Sequence, residues 1–252
     1  MELSIDQLLE GKATVIKDKE YFSAKDYITP FLERMSKFTN EFRAQAKLPN
    51  QMSLNSTSTD VIYNRVNVEA ILPDEYEFEG HKRVVGFVYA LDTRKPIVKQ
   101  YVGAIRSACL NLCVFNPEAL SVQELNPETA IDYSFLNNCL SITDTINSTL
   151  KKLSKKIYTK EECYESIGEW VDKCINTKYM SVGGSVKLAE TMPVDVYKNL
   201  FYNKKSDYYT ENGVVNGFDI YNSFTDIICN GTRSDLVNRF EKTYLVSKVL
   251  DI

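Results

Sequence analysis

The stretch Lys82-Arg83-Val84-Val85-Gly86-Phe87-Val88-Tyr89-Ala90-Leu91 constrains this chain more than any other. Val84 to Leu91 is apolar at odd and even positions alike, so neither face of an extended segment there can be left in water. It is also far shorter than the ~20 apolar residues that span a bilayer. A central strand covered on both sides is what remains, and its neighbours supply the sheet. In 60–72, Ile62, Val66, Val68, Ala70 and Leu72 alternate with Arg65, Asn67 and Glu69, the pattern of a half-buried strand. The acidic turn 73–80 joins these two strands. A turn at Asp92-Thr93-Arg94-Lys95-Pro96 leads to a third strand over 97–103, which completes an antiparallel meander.

Helical period flanks this sheet. Thr29 and Pro30 are placed to start a helix carrying Phe31, Met35, Phe38 and Phe42 on one stripe and ending near Pro49. Ile105, Ala108, Cys109, Leu112 and Cys113 follow helical spacing up to Asn116-Pro117, and Ile146, Leu150, Leu153 and Ile157 form a further stripe. Thr159 and Glu162 have capping-box spacing ahead of Cys163, Ile167, Trp170, Val171 and Cys174. A loop over 181–185, a short helix from Pro193, a polar loop over 203–212 and helices over 218–229 and 236–250 close the chain, the last capped by Ser234. The expected fold is a single α+β domain over 1–252: an arm over 1–22, a helix plus sheet over 23–140, and a helical part over 141–252.

Composition excludes several function classes. With 252 residues, 44% hydrophobic and 25% charged, and a net charge of −4, the chain can bury a core without disulfide or metal staples. The N-terminus, Met1 to Asp6, is acidic and has no basic segment before an apolar core. A secretory leader is therefore not expected, and a cytoplasmic location is. Its six cysteines are then expected to be small apolar core residues, with Cys139 nearer a polar junction. The single histidine, His81, lies in a stretch that resembles an exposed turn and leaves no metal set and no Ser-His-Asp arrangement. Val182-Gly183-Gly184-Ser185-Val186-Lys187 lacks phosphate-loop spacing and is expected to be a plain loop. Glu118, Glu124, Glu128 and Asp132 form an acidic run that could hold Mg²⁺ but more often is solvated surface. No catalytic residue, metal or cofactor is assigned.

Charge is unevenly distributed. The net value is +5 over 81–116 and +4 over 151–205, against −5, −5 and −3 over 1–80, 117–150 and 206–252. Cations among aromatic rings are what a single-stranded nucleic acid requires, since phosphates follow the charges and bases stack on the rings. The candidate contacts are Arg65, Lys82, Arg83, Arg94, Lys95, Lys99 and Arg106 for phosphates, with Tyr89 and Tyr101 for stacking. Lys151, Lys152, Lys155 and Lys156 are expected to be the wet face of their helix, or else a second phosphate track.

Two segments carry a family resemblance. Arg106-Ser-Ala-Cys109-Leu-Asn111-Leu-Cys113-Val-Phe resembles the Arg-x-x-Cys-x-Asn segment of a phage- and plasmid-associated family of unknown function. Phe218-Asp-Ile-Tyr221-Asn222-Ser-Phe-Thr225-Asp226 is similar to that family's aromatic-x-x-Tyr-Asn-x-x-Thr-Glu segment, and the helix from Leu236 to its last one. The resemblance implies a mobile-element protein encoded near recombination or anti-restriction functions. The expectation that follows is a non-enzymatic, homo-oligomeric phage protein in the host cytoplasm. It would bind nucleic acid, single-stranded DNA before duplex, in replication, recombination or DNA protection. The alternative is a protein-interaction module for a host or phage protein, such as an inhibitor of a defence complex or a structural component. No membrane partner is expected.

Overall fold

The computed structural model describes residues 2–10, 14–16, 19–21, 23–47, 65–77, 80–91, 96–106, 112–115, 117–126, 128–182, 184–188, 191–230 and 237–252. Its centre is an antiparallel sheet. The strands are β1 (Glu2–Leu3), β4 (Phe42–Lys47), β5 (Arg65–Ile71), β6 (His81–Ala90), β7 (Ile97–Arg106) and β8 (Leu112–Cys113), in that spatial order, with β9 (Leu120–Glu124) also on β7. A hairpin of β2 (Thr14–Ile16) and β3 (Lys19–Tyr21) stands apart from it. The expected α+β meander is present as β5, β6 and β7, with Glu69, Gly86 and Tyr101 in one cross-strand row.

Both faces of the sheet are covered, as the two-sided apolar strand requires. On one face the 12-residue helix α2 (Ala24–Met35) lays Tyr27 and Phe31 on Tyr89 and Phe87, with ring centroids 5.3 and 5.7 Å apart. This helix begins upstream of the expected Thr29. Ser23 and Asp26 form a reciprocal capping box, so the orphan N–H groups are satisfied there and Pro30 falls in the seventh helical position. Phe42, expected on the same stripe, belongs to β4 instead, and Phe38 is exposed. Also N-terminal is α1 (Ile5–Leu9), capped by Ser4 and Gln7 and burying Leu8.

The helical C-terminal half wraps the β7–β8 edge. It comprises α3 (Cys139–Lys155), α4 (Lys160–Asn176), α5 (Met192–Phe201), α6 (Gly217–Asn230) and α7 (Arg239–Val249). Short ribbons join them: β10 (Ile157–Thr159) with β13 (Val214–Asn216), and β11 (Lys178–Ser181) with β12 (Gly184–Lys187). α7 lies on the second face of the sheet, where Phe240 stacks on Tyr101 at 4.2 Å. The Thr159/Glu162 capping box forms as expected, with bonds of 3.2 and 2.7 Å.

Two expectations fail for a shared reason, the reach of strand pairing. Ile105 continues β7, and Leu112–Cys113 pair with Ala104 and Ile105 as β8, so both ends of the helical spacing over 105–113 are strand; residues 107–111 lie outside those described. The paired-glycine segment is a hairpin, with Gly184 at φ +118°, a left-handed value that favours glycine. The closing helix is capped at Asn238; Ser234 lies outside the described residues.

Candidate nucleic-acid interface

Alternation along the strands scatters the cations of the sheet. Lys82 and Lys99 point to the α7 face and Arg83 to the α2 face, so they form no continuous surface. Lys99 is 1% exposed; its Nζ donates to the Val237 carbonyl at 2.6 Å and is ion-paired with Glu241 of α7. Arg83 is buried, donates to the His81 carbonyl at 3.1 Å and to Asn147 of α3, and is pulled down to about 10 by burial. Tyr89 and Tyr101 are core rings. These four assignments are therefore corrected: none offers a surface to phosphates or bases. Arg65 is half-buried, and Lys82 is partly exposed with Asp74 at 3.7 Å and Glu41 at 3.9 Å. Arg94 and Lys95 lie outside the described residues, and Arg106 ends β7 opposite His81.

Asn67 and Glu69, which alternation assigned to a wet face, are buried beneath α7. The Tyr101 ring crosses over Gly86 to reach them: a Cβ on Gly86 would fall 1.9 Å from the ring Cζ. The Tyr101 hydroxyl lies 2.5 Å from Glu69 Oε1 and 3.0 Å from Asn67 Oδ1. Burial alone would raise the Glu69 carboxyl, but Arg239, Arg43 and the tyrosine outweigh it and hold it below its usual value. Burial followed by the Glu69 charge pushes the Tyr101 phenol well up.

Other candidates also resolve into structure. His81 is buried on β6, edge-on to Phe218 at 4.5 Å, and is not in an exposed turn. Cys113, Cys139, Cys163, Cys174 and Cys229 are buried free thiols, and burial lifts Cys163 and Cys174 to about 12. Glu118, Glu124 and Glu128 are exposed, while Asp132 accepts from the Ser134 N–H at 2.8 Å, which lowers its carboxyl. Among the described residues no His, Cys, Asp and Glu side chains converge to hold a metal, and no helix is long and apolar enough to cross a membrane.

Exposed cations and exposed rings meet instead where α3, β10, α4 and α5 converge. α3 ends in Lys151, Lys152, Lys155 and, just beyond, Lys156; all four are exposed, and among the described residues no ion pair involves them. Two of these sit in the last helical turn, where a positive charge is favoured by the helix dipole. The chain then extends for three residues because β13 pairs with it: the Gly217 N–H donates to the Lys156 carbonyl at 2.7 Å, and the Lys160 N–H to Gly213 at 2.8 Å. Gly217 permits this approach, since a Cβ there would lie 3.1 Å from the Leu153 carbonyl oxygen. In the ribbon Tyr158 and Val215 turn inward, leaving Ile157 and Val214 outward, 58% and 45% exposed.

Aromatic rings border these lysines. Lys156 Nζ lies 5.2 Å from the Tyr158 ring centroid, and Lys160 Nζ 4.3 Å from that of Tyr202. Tyr202 is 62% exposed and its ring sits 5.8 Å from Tyr197, which in turn is 5.9 Å from Tyr164, 66% exposed. The hydrogen bond and charge of Lys160 lower the Tyr202 phenol; burial, then Tyr202, raises Tyr197 to about 12. Lys204 and Lys205 follow, also exposed. The outer face of α4 carries Glu161, Glu165, Glu169 and Asp172, so a polyanion would follow the α3 side of the rings.

The two segments that carry the family resemblance touch each other inside the core. Tyr221 donates to the Val114 carbonyl at 3.3 Å, its ring stacks on Phe115 at 4.8 Å, and Cys113 Sγ lies 3.8 Å from Asn222 Oδ1. Their described residues therefore serve packing and not an exposed site. No family model matches the chain, and no curated protein or solved structure does either.

Proposed function

We propose that the protein binds single-stranded nucleic acid, and that it does so on the surface formed by Lys151, Lys152, Lys155, Lys156 and Lys160 with Tyr164 and Tyr202. The observation that carries this reading is the run of exposed lysines at the end of α3, continued across β10 by Lys160 beside the exposed Tyr202 ring. Ammonium groups track a phosphate backbone, and a tyrosine face stacks on any base. The acidic flank of α4 and the overall charge of −4 disfavour sequence-blind wrapping of duplex, which presents phosphates on every side. The biological setting proposed with it is replication, recombination or protection of phage DNA in the host cytoplasm, on the strength of the sequence resemblance.

A titration of a fluorescent oligothymidylate followed by anisotropy tests the reading. Four phosphate contacts on a single strand give a log–log salt slope of about −3, a loss of roughly 50-fold between 50 and 200 mM salt. Binding without salt dependence, or none at low salt, contradicts it.

A second reading has its own observation. Ile157 and Val214 form an outward apolar pair on the β10–β13 ribbon, which phosphate contacts do not require. A protein partner covering this ribbon would be the interaction module of the alternative reading. Recovery of one partner at fixed stoichiometry after nuclease treatment, lost in Ile157→Asp, would favour it over nucleic acid.

A further inference from the structure

Around Glu69, on the α7 face of the sheet, positive charge and donors exceed what that one carboxylate can take; the unpartnered Oε2 of Glu241 on the same face belongs to the Lys99 ion pair. Glu69 is the one carboxylate between two guanidinium groups. Arg43 Nε donates to its Oε2 at 2.7 Å with Nη2 on the same oxygen, and Arg239 Nη2 lies 3.4 Å from Oε1. Tyr101 takes the remaining approach to Oε1. Lys99 and Glu241 balance each other nearby, so their pair leaves the excess in place.

Among the described residues, three buried donors on the side chains about Glu69 have no acceptor: Arg43 Nη1, Arg239 Nε and Asn67 Nδ2. Each belongs to a side chain bonded either to Glu69 or to the tyrosine that holds Glu69, so all three surround one carboxylate. Asn67 is 1% exposed and Arg239 7%. A bare donor in a dry site is costly and an uncompensated charge costlier still, so three donors and a surplus cation on side chains grouped about one carboxylate call for an acceptor that carries charge. Arg239 is also the first residue of the 11-residue helix α7, whose positive end adds to the field. Arg43 and Gln45 are only half-buried, which leaves an approach from the β4 side.

We infer that Arg43, Asn67 and Arg239 form a binding site for a small oxyanion, a phosphoryl or carboxylate group, between β4, β5 and the start of α7. Planar guanidinium forks match both kinds of group, and the bound anion would be a second acceptor, beside Glu69, for the same two arginines. This site is on the opposite sheet face from α2 and uses none of the lysines of the proposed nucleic-acid surface, so it stands independently of that reading.

Calorimetric titration of the whole protein with inorganic phosphate, at ionic strength balanced by chloride, tests the inference, with sodium acetate as a second arm. One saturable site is expected. Saturation by phosphate, or by acetate alone, identifies which oxyanion the forks accept and supports the proposal in either case. Arg43→Gln, at a half-buried position and still able to donate to Glu69, should weaken binding by about tenfold or more, whereas Lys155→Glu should leave it unchanged. No saturable heat with either anion, or equal affinity in Arg43→Gln, overturns the site. Should that variant fail to fold, the side-chain Nε–H resonances of the wild-type arginines decide: phosphate must shift those of Arg43 and Arg239, and unmoved signals refute the proposal.

Discussion

Gly86→Ala is expected to be far more damaging than a glycine-to-alanine change in a strand ordinarily is. The new Cβ would lie 1.9 to 2.4 Å from three atoms at the end of the Tyr101 ring, distances no contact tolerates, and Tyr101 has no slack because Phe240 stacks on it at 4.2 Å. The ring must leave. Its hydroxyl then loses a bond to an ionised, buried carboxylate, about 1.5–3 kcal/mol, and its stacking on Phe240, about 0.5–1.5 kcal/mol. Alanine returns about 0.5–1 kcal/mol by restricting the unfolded chain. The net loss is about 1–4 kcal/mol, which at ~2–4 °C per kcal/mol is readable as a fall in Tm and in the urea midpoint. A double-mutant cycle isolates the cause: with Tyr101→Ala the clash is absent, so Gly86→Ala should be neutral or slightly stabilising in that background. If Gly86→Ala costs the same with and without the tyrosine, the crossing of the ring over Gly86 is not what the glycine is for.

Further outcomes follow from the buried charges and thiols. Glu69 has a folded carboxyl value below its usual 4.5, so its stabilisation is complete above that pH and is lost as the pH falls through the folded value. Urea midpoints should drop on acidification below about pH 4.5, and Glu69→Gln, destabilised by about 3–5 kcal/mol through two unpaired arginines, should lack that part of the drop. Lys99→Met alone strands Glu241 in the core and should cost about 3–5 kcal/mol, while Lys99→Met with Glu241→Met should recover most of it; equal losses would contradict a buried pair. Cys163 and Cys174, lifted to about 12 by burial, should resist a thiol reagent near pH 8 until denaturant is added, and rapid labelling of the native protein would contradict their placement.

Much of the architecture was legible where one local pattern decides the structure. Alternation over 65–72 and the two-sided run over 84–91 identify strands that pair as expected, and Thr159 with Glu162 marks a helix start because both halves of the box lie within four residues. The failures come from partners distant in sequence. Lys99 looks like a solvated strand cation until Glu241, 142 positions away, is brought to it. Glu69 looks wet because nothing near it in sequence announces Arg239 or α7. Helical spacing over 105–113 does not reveal that Ile105 and Leu112–Cys113 belong to paired strands, because the partners that decide it are each other.

The candidate surface was half legible. Four lysines over 151–156 are visible as a cluster, but the rings beside them come from Tyr158, Tyr164 and Tyr202, on three different elements. The contact of α4 with α5 brings Tyr202 to Lys160 and groups it with Tyr197 and Tyr164. The basic sheet block is the converse case: strong in the charge count, while alternation puts Arg83 and Lys99 into the core on opposite faces of the sheet.

The proposed nucleic-acid surface lies at the end of α3 and not on the sheet. Affinity of a labelled single strand for Lys151→Glu/Lys155→Glu, measured beside Lys82→Glu at one salt concentration, tests it most directly. The account predicts a loss of about tenfold or more for the α3 pair and little change for Lys82→Glu. A loss confined to Lys82→Glu, or wild-type affinity in the α3 pair, would contradict it.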